Sequence, residues 1–120
     1  MYNHPSIAMW SIGNEVDAAH GFGIAGAAPK PLALLQHLQK VAREEDPSRA
    51  TTFADCCEDV GMMQTAGEPL AGTADLIGYN RYYGWYMPKP LDAREQLGRE
   101  LDRLHAKHPA LPISISEYGA

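Results

Sequence analysis

"SIAMWSIGN", Ser6–Asn14, is a nearly continuous apolar run that ends at a polar pair, Asn14-Glu15. A short run of this kind reads as a strand covered on both faces, the type found in parallel sheets. Three more stretches read the same way: "TTFAD" (Thr51–Asp55), "DLIGYNRYY" (Asp75–Tyr83) and "LPISISEY" (Leu111–Tyr118). Pro, Gly and Asp bound them, as strand ends require.

Helical patterns separate the strands. From Pro31, "PLALLQHLQKVAREED" sets Leu34, Leu35, Leu38, Val41 and Ala42 on one stripe. Pro31 suits the first turn, and Asp46-Pro47 ends the helix. Further on, Asp92 and Glu95 have the spacing of a capping box. They open a helix predicted to bury Leu97, Leu101 and Leu104 and to stop before Pro109. The middle crossover, Glu58–Gly67, has a weaker pattern around Met62 and Met63. The order β-α-β-(α)-β-α-β predicts an α/β fold with parallel strands and right-handed crossovers.

Composition limits the classes. The 120 residues predict one domain with a modest core. Hydrophobic content of 45% and charged content of 21% are those of a folded chain rather than a disordered one. A net charge of −5 is the wrong sign for a nucleic-acid partner. No apolar run is long enough to span a membrane. The opening "MYNHPSIAMW" lacks a basic n-region and is interrupted by Pro5, so no signal peptide is expected. Cys56 and Cys57 are adjacent, which argues against an internal disulfide framework and reads as two small half-buried apolar residues. The compartment stays open.

Several chemical signals are weak. Gly21-Phe-Gly23-Ile-Ala-Gly26 matches G-x-G-x-x-G, but no strand immediately precedes it, and Pro29 and Pro31 interrupt any helix after it. A dinucleotide fingerprint needs both, so a flexible loop is the better reading. His105 and His108 have metal-pair spacing without a third ligand. Neither a cofactor nor a metal is therefore expected. The charged residues from Arg94 through Lys107 read as a solvated helix face.

Glu15 and Glu117 are a stronger signal. Each sits at the C-terminal end of an apolar strand. Either one alone is an ordinary loop carboxylate. Together with "GYNRYYGWY" (Gly78–Tyr86), at the end of the strand between them, they form a constellation suited to a sugar. Ring faces stack on a pyranose, and amide and carboxylate groups take its hydroxyls.

"NHPSIAMWSIGNE", "GYNRYYGWY" and "ISEYGA" resemble the barrel domain of glycoside hydrolase family 2, the β-galactosidases and β-glucuronidases. The resemblance covers essentially the whole chain, in the family's order. It implies a partial (β/α)8 barrel, approximately strands 4 to 7, with residues 1–120 a fragment of the catalytic domain. It also implies roles. Glu15 resembles the acid/base, Glu117 the nucleophile, and Asn14 the amide that holds the sugar 2-hydroxyl. Tyr82 resembles the tyrosine that contacts the nucleophile, and Asn80, Trp85 and Tyr86 are candidates to line the pocket. In a closed eight-stranded barrel of radius about 8 Å, strands three positions apart leave two inward glutamates with carboxyl groups roughly 5 Å apart, the separation of retaining glycosidases.

The implied activity is retaining hydrolysis of terminal β-glycosides, with β-galactosides leading and β-glucuronides the alternative. The implied partners are the carbohydrate substrate, the rest of the parent chain and, through open strand edges, further copies of itself as a homo-oligomer. A third alternative is a catalytically incomplete fragment that only self-associates.

Overall fold

The structure, a computed structural model, describes residues 4–16, 31–56, 58, 70–86 and 92–119. In chain order it contains β1 (Met9–Asn14), α1 (Pro31–Glu45), β2 (Ala50–Asp55), β3 (Leu76–Asn80), α2 (Ala93–Lys107) and β4 (Ile113–Glu117). The predicted crossover around Met62 and Met63 and the glycines Gly21, Gly23 and Gly26 lie outside the described residues.

The four strands form one parallel sheet in the order β1-β2-β3-β4. Each new strand adds beside the last, with no reversal of direction. A doubly wound sheet reverses at a switch point, whereas a barrel winds one way. The sheet is thus an arc of a (β/α)8 barrel.

All four predicted strands are present; β1, β3 and β4 are shorter than the predicted runs, and β2 begins one residue earlier, at Ala50. β1 starts at Met9 rather than Ser6 because the preceding carbonyls are taken by a side chain. Arg49 donates from Nε to the Ile7 carbonyl at 2.8 Å and from Nη2 to the His4 carbonyl at 3.1 Å. β3 stops at Asn80 because Tyr82 begins a turn, in which the Trp85 and Tyr86 N–H groups donate to the Tyr82 carbonyl at 3.0 and 3.3 Å.

The core lies between the sheet and its helices. Leu35 of α1, Phe53 of β2, Ile77 and Tyr79 of β3 and Leu104 of α2 are fully buried. Each large apolar side chain so placed stabilises by ~1.5–3 kcal/mol relative to exposure. The α1 stripe is narrower than predicted. Leu35 is sealed and Leu38 and Ala42 pack at its margin, but Leu34 and Val41 remain 38% and 40% exposed. The apolar stripe in the sequence is wider than the face that is buried, because β1, against which α1 packs, is an outer strand of the sheet.

Three expectations are corrected. Asp92 occupies the N-cap of α2 but makes no side-chain cap hydrogen bond, and Glu95 pairs with Arg99 one turn along. The solvated-face reading of α2 fails at Glu100, which is buried, while Lys107 stays exposed and pairs with Glu58 at 2.8 Å. Cys56 is disulfide-bonded and not a small apolar side chain. Neighbouring cysteines seldom close a bridge, which is why spacing alone argued against it.

Candidate active site

Because the strands are parallel, their C-terminal ends share one edge of the sheet. Glu15 follows β1 directly, Asn80 ends β3 and Glu117 ends β4. The two glutamates therefore stand on the outer strands of the arc, with the ends of β2 and β3 between them.

Both glutamate-bearing strands are irregular near these ends. Between β1 and β2 the register runs Ser11↔Thr52, then Asn14↔Ala54, so β1 carries one extra residue. Between β3 and β4 it runs Tyr79↔Ile115, then Asn80↔Glu117, so β4 carries one extra. A bulge re-aims the side chains that follow it, and bulges concentrate beside active sites. Here the second one brings Glu117 opposite Asn80. Glu15 itself adopts φ 48°, a left-handed conformation uncommon away from glycine. Its N–H still donates to the Ala54 carbonyl at 2.8 Å, which anchors the strained residue to β2.

A hydrogen-bond chain joins three strands. Ser116 Oγ donates to Asn80 Oδ1 at 2.7 Å. That fixes the amide so that Nδ2 donates to Glu15 Oε1 at 2.7 Å and reaches Asn14 Oδ1 at 3.2 Å. The chain depends on a missing side chain. A Cβ on Gly78 would lie 2.8 Å from Ser116 Oγ and 2.9 Å from its Cβ.

Tyr82 serves the other glutamate. Its hydroxyl donates to Glu117 Oε2. That bond, followed by desolvation and the charges of Glu117 and Glu15, pushes the phenol from 10.0 up to about 12. Tyr82 thus stays a donor at neutral pH. Its ring meets Tyr86 edge-on at 5.6 Å, and Tyr86 meets Trp85 edge-on at 6.5 Å. Trp85 and Tyr86 are exposed and present an aromatic ledge beside the carboxylates.

All seven candidate residues are therefore described, and five fall into two hydrogen-bonded groups. Asn14, Glu15 and Asn80 form one; Tyr82 and Glu117 form the other, with Tyr86 edge-on to Tyr82 and Trp85 one contact further out. Ser116, next to Glu117 in the chain, bonds Asn80 of the first group. The histidines take other roles: His105 is exposed, and His108 Nε2 bonds Glu58 Oε1 at 2.6 Å. Sequence reasoning missed Ser116, Arg81 and Glu100. The signal that would have found the Arg81–Glu100 pair is Arg81, a cation at the end of an apolar strand, which needs a counter-charge when buried.

The model of the glycosyl hydrolases family 2 TIM barrel domain matches residues 1–120. The chain belongs to glycosyl hydrolase family 2. Among family members, it is 38% identical over 119 residues to a β-glucuronidase of Bacteroides fragilis, covering 99% of this chain and 14% of that protein. It is 28% identical to a Ruminococcus gnavus β-glucuronidase solved in complex with D-glucuronic acid, with a TM-score of 0.69 over 99% of this chain and 19% of that one. A putative β-galactosidase from Bacteroides fragilis is 30% identical, with a TM-score of 0.70 over 98% of this chain and 15% of that one. The chain thus spans less than a fifth of the length of each of these relatives.

Proposed function

We propose that the intact polypeptide carrying this chain is a retaining β-glycosidase acting on β-glucuronides, and that these residues supply strands four to seven of its catalytic barrel. The observation that carries the reading is the placement of Glu15 and Glu117 at one sheet edge, each held by its own donor, Asn80 or Tyr82. The β-galactoside preference expected from sequence gives way to β-glucuronide, because the B. fragilis relative and the sugar-bound R. gnavus structure are both named β-glucuronidases. The putative β-galactosidase of similar fold keeps galactosides as the second reading.

In this mechanism Glu117, ionised, attacks the anomeric carbon while Tyr82 holds its other lone pairs in place. Glu15 gives its proton to the departing glycosidic oxygen, so the aglycone leaves as an alcohol. Glu117 is now an uncharged ester. Glu15, deprotonated, then takes a proton from water, which attacks the same carbon and releases Glu117 as a carboxylate. Asn14 holds the sugar 2-hydroxyl, and Trp85 and Tyr86 offer ring faces to the pyranose.

Turnover of nitrophenyl β-glucuronide and β-galactoside by the intact polypeptide, compared with its Glu117→Gln variant, tests the reading. Hydrolysis of the glucuronide that disappears with Glu117→Gln supports it. Near-full activity in Glu117→Gln sinks the assignment, and preference for the galactoside moves it to the second reading. The described residues provide four strands, so we expect no turnover from the 120-residue chain alone and self-association on size exclusion through the edges of β1 and β4.

A further inference from the structure

Between Asn80 and Tyr82, the residues that hold the two glutamates, lies Arg81. Its side chain is 4% exposed and leaves the site on the side of α2. Nε donates to Glu100 Oε1 at 2.7 Å. Nη1 reaches the carbonyls of Asp55 at 3.2 Å, Cys56 at 2.9 Å and Asn80 at 2.9 Å. Nη2 donates to the Glu58 carbonyl at 2.9 Å. The guanidinium lies over the Tyr79 ring, 4.9 Å from its centre. Glu100, also 4% exposed, uses its second oxygen to accept from the Tyr83 hydroxyl at 2.5 Å. On the backbone side, the Arg81 N–H donates to the carbonyl of Glu117 at 2.9 Å.

One residue thus ties the end of β2, the end of β3, α2 and the Glu117 peptide together. Stability alone does not account for it. A buried ion pair roughly breaks even against an apolar pair of the same volume, because taking both charges out of water costs about what their attraction returns. What an apolar pair lacks is direction. Arg81 grips carbonyls, including that of Asn80, and Glu100 grips Tyr83, the neighbour of Tyr82.

We propose that Arg81 and Glu100 are positioning residues, a buried clamp that sets where the Asn80 amide and the Tyr82 hydroxyl meet Glu15 and Glu117. The inference rests on the roles given to those two glutamates under the proposed function. Its effect is on the bonded steps and not on sugar binding, because neither Arg81 nor Glu100 reaches the aromatic ledge.

The test uses the intact polypeptide with the pair replaced together, Arg81→Met with Glu100→Leu. A displacement on the order of 1 Å at reacting groups lowers kcat by roughly 10–100-fold, so that loss is expected with KM within about threefold of wild type. The same replacement in a Tyr82→Phe, Asn80→Ala background should cost little further, since the clamp acts through those two side chains. An unchanged kcat in the folded paired variant overturns the proposal. So does a loss that multiplies in full with that of the Tyr82→Phe, Asn80→Ala background, since that is what a merely structural role gives. Should the paired variant not fold, Glu100→Gln and Arg81→Lys carry the same kinetics. If wild type hydrolyses neither sugar, the functional reading has failed by itself. The clamp is then judged by a crystal structure of Glu100→Gln: loss of the Asn80–Glu15 and Tyr82–Glu117 bonds upholds it, and their retention overturns it.

Discussion

The Asn80 amide donates to the Glu15 carboxylate at 2.7 Å, from the end of β3 past β2 to the end of β1. Ala54, paired with both Asn14 and Gly78, puts no large side chain in the way. A hydrogen bond to a charged group is worth ~1.5–3 kcal/mol. Asn80→Ala should therefore lower kcat/KM for a β-glucuronide by roughly 10–100-fold in the intact polypeptide. Steady-state kinetics check it, and wild-type kinetics in Asn80→Ala would show the bridge to be incidental.

Glu15→Gln should separate substrates by leaving group. A general acid contributes roughly 10²–10⁴-fold, but only where the departing oxygen needs a proton. An alkyl glucuronide should lose that whole factor, and a nitrophenyl glucuronide much less. Equal losses on both would remove Glu15 from the acid role.

Tyr82 gives a prediction in alkali. Its phenol is pushed up to about 12, first by its bond to Glu117, while an unfolded tyrosine ionises near 10.0. A raised folded value means that this contribution to stability is full below pH 10 and is lost as the pH climbs towards 12. Tyr83 behaves alike, pushed up to about 12 by burial and its bond to Glu100. The difference in tyrosinate absorbance between wild type and Tyr82→Phe should appear near pH 12. Ionisation of that residue near 10 would mean that the bond does not form.

Gly78→Ala should destabilise without touching a carboxylate. The new methyl would meet Ser116 at 2.8 Å, and overpacking of this kind costs ~1–3 kcal/mol. Denaturant unfolding measures the cost. Because Ser116 also orients Asn80, the variant should lose activity by about as much as Ser116→Ala. Retained stability and activity would show that β4 yields freely there.

Sequence carried much of this. The short runs at Ser6–Asn14, Thr51–Asp55, Asp75–Tyr83 and Leu111–Tyr118 announced β1 to β4, because apolar and β-branched residues bounded by Pro, Gly and Asp are a local strand signal. Glu15 and Glu117 were legible as carboxylates at strand ends. Ser116 was not legible, since a serine in an Ile-Ser alternation looks like any solvent-facing residue. Glu100 was hidden for a related reason: helix periodicity places it among charged neighbours, and nothing local tells a solvated glutamate from one paired with Arg81 across the fold.

The sequence by itself determined which segments are strands and helices and which family they build, because periodicity, turn residues and motif order are local properties of the chain. Tertiary structure alone decided the bulges that bring Glu117 opposite Asn80, the left-handed turn at Glu15 and the Arg81–Glu100 clamp. These depend on registers between strands and on charges up to 26 residues from their partners, as Arg81 is from Asp55. Contacts of that kind exist only once the layers have closed.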